Sequence, residues 1–133
     1  MSFPDERSDA RERALNLMYE AHSKGLTIAA VIDAQVIAPD DLTQLLARGA
    51  ESAMGRSDDL IAAKARGWTL ARMPVLDLAI MRMATFELLE RPDVPTAVVL
   101  DEAVELAKRF STDDSGRFVN GVLAAIAADV RAA

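Results

Sequence analysis

Pro74-Val75-Leu76-Asp77-Leu78-Ala79-Ile80-Met81-Arg82-Met83-Ala84-Thr85-Phe86-Glu87-Leu88-Leu89-Glu90-Arg91 reads as one long helix around which the rest of the chain is organised. Pro74 suits a first helical position, where its missing N–H would have had no intrahelical partner. Val75, Leu76, Ala79, Ile80, Met83 and Phe86 then form a broad apolar face running toward Arg91. A helix with so wide a face belongs in the centre of a helical fold. Glu87, one turn beyond Met83, reads as a half-buried carboxylate paired with an arginine such as Arg82 or Arg72, a structural pairing.

Outward from this helix, glycines and prolines divide the chain into further helical segments. On the N-terminal side, Glu6 to Ser23 carries Ala10, Ala14, Leu17, Met18 and Ala21 on one face and is ended by Gly25. A short helix covers Thr27 to Ala38. Pro39-Asp40-Asp41 opens a third through Leu42, Leu45, Leu46 and Ala50, closed by Gly55, and Ser57-Asp58-Asp59 caps a fourth to about Arg66. On the C-terminal side, Pro92 and Pro95 break the chain, and Val99, Ala103, Leu106 and Phe110 recur at helical spacing on a sixth helix. Val94 to Leu100 is rich in β-branched residues, but the flanking prolines and the period beyond decide for helix. Ser111 to Ser115 cap a seventh helix, whose stripe is Val119, Val122, Leu123, Ile126 and Val130. The chain is therefore expected to be all-α, with short connections and no internal repeat.

Composition excludes several function classes. At 133 residues without cysteine, the chain can bury a core unaided and has no disulfide framework, thiolate metal site or cysteine nucleophile, which fits a reducing cytoplasm. A single histidine, His22, excludes a multi-histidine metal site; near a helix end it reads as a capping or surface residue. No cofactor is implied, since no glycine-rich loop follows a strand. No secretory leader opens the chain and no apolar run approaches bilayer-spanning length, so no membrane association is expected. Carboxylate neighbours Glu102 and Glu105, or Asp113 and Asp114, resemble a solvated face and a helix cap rather than an acid/base pair, and no enzymatic activity is expected. The formal net charge of −6, from 15 Lys and Arg against 21 Asp and Glu, argues against indiscriminate nucleic-acid binding. Residues 1–24 carry four basic against five acidic side chains, and residues 101–117 three against five, so nucleic acid would be held locally or with a second protein's charge.

The residues with the clearest binding chemistry open the seventh helix, in Asp114-Ser115-Gly116-Arg117-Phe118-Val119-Asn120-Gly121-Val122-Leu123. At about 100° per residue, Phe118 lies about 100° from the centre of the apolar stripe, at the border of the core. With Arg117 beside it and Asn120 within reach, its ring can stack on an unpaired base while a cation meets phosphate; packing under the preceding loop is the alternative. Arg7 and Arg11, spaced i, i+4, share one face of the first helix and suit phosphate contact; the alternative is a solvated face, with Asp9 and Arg13 paired at the same spacing. Trp68, the only tryptophan, reads either as a partner-binding anchor or as a ring buried between bundles.

Taken in order, these pieces resemble the NusB family of bacterial transcription antitermination factors over nearly the full length. The matching pieces are Ala10-Arg11-Glu12-Arg13-Ala14 through Tyr19, Gly67-Trp68-Thr69-Leu70-Ala71-Arg72-Met73 and Ala79-Ile80-Met81-Arg82-Met83 with Glu87-Leu88. They continue with Asp93-Val94-Pro95, Asp101-Glu102-Ala103-Val104-Glu105-Leu106-Ala107-Lys108 and Phe118-Val119-Asn120-Gly121-Val122-Leu123. The resemblance implies about seven helices in two packed bundles forming one domain over residues 1–133. It implies a non-enzymatic adaptor that binds the single-stranded boxA element of ribosomal RNA leaders, usually with NusE, the small-subunit ribosomal protein, within an RNA polymerase antitermination complex.

Carried over residue by residue, the family's RNA face falls on Arg7, Arg11, Phe110, Asp114, Arg117, Phe118 and Asn120. Phe110 also sits on the apolar stripe of the sixth helix, which favours the core. Two departures stand out. Arg7-Ser8-Asp9-Ala10-Arg11 replaces a denser arginine cluster, and Asp101 stands where Asn is frequent, a change read as structural. Two other readings share the pattern: a NusB-like protein-interaction module that has largely lost RNA, and the RNA-binding domain of a ribosomal RNA cytosine methyltransferase. The exposed helical surface also leaves room for a homodimer.

Overall fold

The computed structural model describes residues 6–131 and contains seven α-helices and one 3₁₀ turn, with no strand among the described residues. The helices are α1 (Glu6–Lys24), α2 (Ile28–Asp33), α3 (Asp41–Ser52), α4 (Met54–Lys64), α5 (Val75–Glu90), α6 (Thr96–Phe110) and α7 (Asp113–Val130); the 3₁₀ turn, Leu70–Arg72, lies between α4 and α5. Helix α5 packs against α1 and α3 on one side and α4, α6 and α7 on the other, so two bundles share it as a common wall. Its residues are buried almost all round, including Ala79, Ile80, Met81, Met83, Ala84, Phe86 and Leu88.

A helix placed this deeply needs partners for its polar groups, because an unpaired buried charge is costly. Glu87, 1% exposed, accepts from Arg11 Nε and Nη2, both at 2.9 Å, and from Arg91 Nη1 at 3.1 Å. Arg82 instead forms a forked pair with Asp58 at 2.8 and 2.9 Å, tying α5 to α4. The expected partnership of Glu87 with Arg82 or Arg72 is thus corrected. Arg11 wins because α1 lies against α5, whereas Arg82 points toward α4. At the other end of the chain, Arg131 donates to the carbonyls of Glu87, Leu88, Arg91 and Val94 and to Thr96 Oγ1. These include carbonyls that the end of α5 leaves without helical partners, and one guanidinium satisfies them together.

Close packing depends on one small residue. A Cβ built on Gly49 would lie 2.2 Å from Phe86 Cζ, so α3 reaches α5 only because Gly49 has no side chain and the Phe86 ring fills the space. At the end of α1, Gly25 adopts φ +65°, the left-handed geometry that glycine takes without strain.

Three segments differ from the sequence expectation. The second helix ends at Asp33 rather than Ala38, since Pro39 disfavours helical backbone at Ala38 and Val36 and Ile37 stand exposed, with no burial to hold a further turn. The fourth begins at Met54, not at Ser57: α3 passes into α4 through Ala53 alone, Ser57 is buried inside the first turns, and Asp58 is engaged by Arg82. Pro74 sits one residue outside α5, as its N-cap, with extended ψ of 140°.

Candidate nucleic-acid interface

The turn between α6 and α7 is ordered from within by hydroxyl groups. Thr112 caps α7 by accepting from Ser115 N at 3.2 Å, and the Ser115 hydroxyl accepts in return from Thr112 N at 3.4 Å, a capping box. Ser115, almost fully buried, donates to Asp77 Oδ2 at 2.8 Å and also lies 3.0 Å from Ser111 Oγ and 2.9 Å from Thr112 Oγ1. Asp77 comes from the first turn of α5, so the central helix holds the turn in place. The other oxygen of Asp77, Oδ1, finds no hydrogen-bond partner among the described residues.

Around this anchored turn the side chains point outward. Asp114 and Arg117 are both highly exposed, 3.7 Å apart. Asn120 is exposed, and with Arg117, Gly121 and Lys108 it lines an open groove between α6 and α7 that also receives Asp101 and Glu105. Phe110 ends α6 and is 37% exposed, with the Arg109 guanidinium carbon 4.9 Å above its ring. The buried stripe of α6, Val99, Ala103, Leu106 and Ala107, stops short of Phe110, so the expectation that its place on that stripe favours the core is corrected.

Phe118 is half-buried at the border of the core. Its ring meets Trp68 with centroids 5.9 Å apart and planes at 59°. Helical geometry places Phe118 and Asn120 about 160° apart around α7, so the two flank the exposed face instead of sharing one edge. Trp68 is 50% exposed and is not buried between bundles.

The two arginines of α1 separate. Arg7 is exposed, whereas Arg11 is 2% exposed and held by Glu87, so the expected phosphate contact from Arg11 is corrected to a structural role. Spacing put both on one face of α1, but neighbouring residues of that face diverge where α5 begins to cover it. Arg13 pairs through its guanidinium with Asp40 at 3.3 Å rather than with the Asp9 side chain. The edge of α1 beside Arg7 is joined to α6 by Ser8 to Glu102 and by Glu12 to Arg109, each at 2.6 Å. Arg109 and Lys108, in the last turn of α6, add cations to this edge beyond the residues expected from the sequence. Their signal was two basic residues in the last turn of a helix, next to an aromatic ring.

Among the described residues no cluster of His, Asp or Glu could hold a metal ion, and no helix is long and apolar enough to cross a membrane.

Comparison with known proteins gives this arrangement its context. The NusB family profile matches residues 8–128. A transcription antitermination protein NusB from Saccharopolyspora erythraea is 47% identical over 127 residues, covering 91% of this chain and 86% of that protein. The solved structure of T. maritima NusB superposes with a TM-score of 0.82 at 30% identity, covering 94% of this chain and 92% of its own. A chain from a complex of antitermination factors NusB and NusE with double-stranded RNA has the same fold, with a TM-score of 0.78 at 23% identity over 92% of this chain and 96% of its own. A profile match spanning most of the chain, a close relative of nearly the same extent and a shared two-bundle architecture agree: the chain belongs to the NusB family of transcription antitermination proteins.

Proposed function

We propose that this antitermination protein works as a non-catalytic adaptor that binds the single-stranded boxA element of ribosomal RNA leaders together with NusE and delivers it to the transcribing RNA polymerase. The observation that carries this reading is the α6–α7 turn. It presents Phe110 beneath Arg109, exposed Arg117 and Asn120, and the open side of Phe118, all around one rigidly capped helix start. Exposed rings beside guanidinium groups suit unpaired bases and their phosphates. Arg7, Phe110, Asp114, Arg117, Phe118 and Asn120 form the RNA face in this reading. Arg11 supports it from below through Glu87.

A net charge of −6 limits affinity for RNA alone, so a basic partner is expected to complete the site. That the complex structure with the same fold contains NusE and double-stranded RNA supports NusE and RNA as the kinds of partner. The withdrawal of Arg11 from the surface favours one rival, a module that keeps NusE but has lost RNA.

Titration of labelled boxA leader RNA with this protein, with and without NusE and at two salt concentrations, separates the two. Binding that weakens with salt and tightens with NusE supports the adaptor. Binding of NusE without any RNA binding by the complex overturns it.

A further inference from the structure

The segment between α4 and α5 has a charge pattern found in neither RNA-facing segment. From the last turn of α4 through the connection to the start of α5, residues 60–76 carry three Lys or Arg and no Asp or Glu, in a chain where acids outnumber bases 21 to 15. Lys64 is engaged by Asp129 at 2.7 Å. Arg66 and Arg72 are both exposed, and neither forms an ion pair among the described residues. Between them stands Trp68, half-exposed, following Gly67 at φ +80°. That left-handed residue turns the chain so that the indole leaves the end of α4 and reaches Phe118 on α7.

The tilt of 59° between the two rings matters. The tilted rings meet without lying flat on one another, and Trp68 stays half-exposed beside the half-buried Phe118. Arg66 is two residues from Trp68 and Arg72 four, so their backbones lie within about 14 Å of it, at no more than ~3.6 Å per residue.

We propose that the α4–α5 connection is a second arm of the RNA site, in which Trp68 stacks on an unpaired base next to the one on Phe118, and Arg66 and Arg72 receive the adjoining phosphates. The ligand is single-stranded RNA running from the α6–α7 turn across Phe118 onto Trp68. Stacking tolerates any base because each has a π-face, and cations flanking an exposed ring are the usual company of such a platform. The inference rests on the RNA-binding reading above and extends the site to an element that reading does not use.

Trp68 is the chain's only tryptophan, so its emission reports this site directly. The experiment uses the full chain and a fluorescein-labelled boxA leader RNA followed by anisotropy, with unlabelled RNA for tryptophan emission and acrylamide quenching. RNA is expected to shift Trp68 emission and to shield it from acrylamide. Trp68→Leu should weaken binding roughly ten- to a hundredfold, with Trp68→Phe restoring most of it. The double substitution R66Q and R72Q should lower the magnitude of the log–log salt slope by about 1.4, at ~0.7 per phosphate contact on a single strand.

If anisotropy reports RNA binding while Trp68 emission and quenching stay unchanged and the arginine variant keeps its slope, the second arm is wrong and the α6–α7 site stands. These readouts hold even where Trp68→Leu fails to fold, because they use the unaltered ring and exposed arginines. If the parent binds no RNA even with NusE present, the RNA-binding reading falls and this inference with it.

Discussion

Arg7 and Arg11 show how two residues with the same sequence credentials acquire different work. Arg11 sits beneath the surface with its forked donors on Glu87, where loss of one partner strands a buried charge. Arg11→Ala is therefore expected to lower folding stability by about 3–5 kcal/mol in chemical denaturation. Arg7→Ala should leave the melting temperature close to the parent and reduce the magnitude of the RNA salt slope by about 0.7. A stable Arg11→Ala protein with a flattened salt slope would return Arg11 to the interface.

Phe118 stands between two roles, with one side against the core and Trp68 and the other open. A wholly buried ring truncated to Ala costs about 3–5 kcal/mol, so a half-buried one should cost about 2. RNA binding by the folded variant should fall by about 1–3 kcal/mol. Measuring both on Phe118→Ala decides the matter: the full loss of stability with unchanged RNA affinity would assign the ring to the core alone.

At the scale of elements, the start of α7 depends on a carboxylate from α5. Ser115→Ala removes the hydroxyl that donates to Asp77 Oδ2 and the return half of the capping box. With Oδ1 unpartnered among the described residues, Oδ2 would then lose its Ser115 donor as well. The variant should lose about 1–3 kcal/mol of stability. Because the turn that carries Phe110 and Arg117 is loosened, its RNA affinity should fall as well; unchanged affinity would show that the turn needs no such anchor. The α3–α5 contact makes a second test. Gly49→Ala forces a methyl group toward the Phe86 ring, an overpacking expected to cost about 1–3 kcal/mol, and Phe86→Leu in the same chain should recover part of it. Additive losses in the double variant would show that the two positions do not share the space.

For the whole molecule, charge governs how RNA can be held. Acidic groups surround the proposed face, with Asp101 and Glu105 in the α6–α7 groove and Asp113 and Asp114 in the first turn of α7. The cations that could oppose them are dispersed over α1, α6, α7 and the α4–α5 connection. RNA that touches several of these and also a basic partner gains more than the sum of isolated contacts, since the second attachment is intramolecular. Saturating NusE is expected to lower the dissociation constant for boxA RNA and to steepen its salt dependence. An unchanged constant would mean that no composite site exists.

Helical content, the central position of α5 and the border position of Phe118 were legible in the sequence, because a helix's period is local and its buried stripe is written in residues three and four apart. The cap of α7 at Thr112 was legible too, inside the Ser111 to Ser115 run, since capping joins residues three apart. The end of α2 and the start of α4 were less so, as local signals at Pro39 and Ser57 competed with packing. Which arginine serves Glu87 was decided by tertiary structure alone: Arg11 is 76 residues away, and nothing in its spacing distinguishes it from Arg7. The same holds for Arg131 on the carbonyls of α5, Asp77 under Ser115 and Trp68 beside Phe118. Each joins groups from parts of the chain far apart in sequence, and which of these meet depends on how whole elements pack and cross, which no local period records.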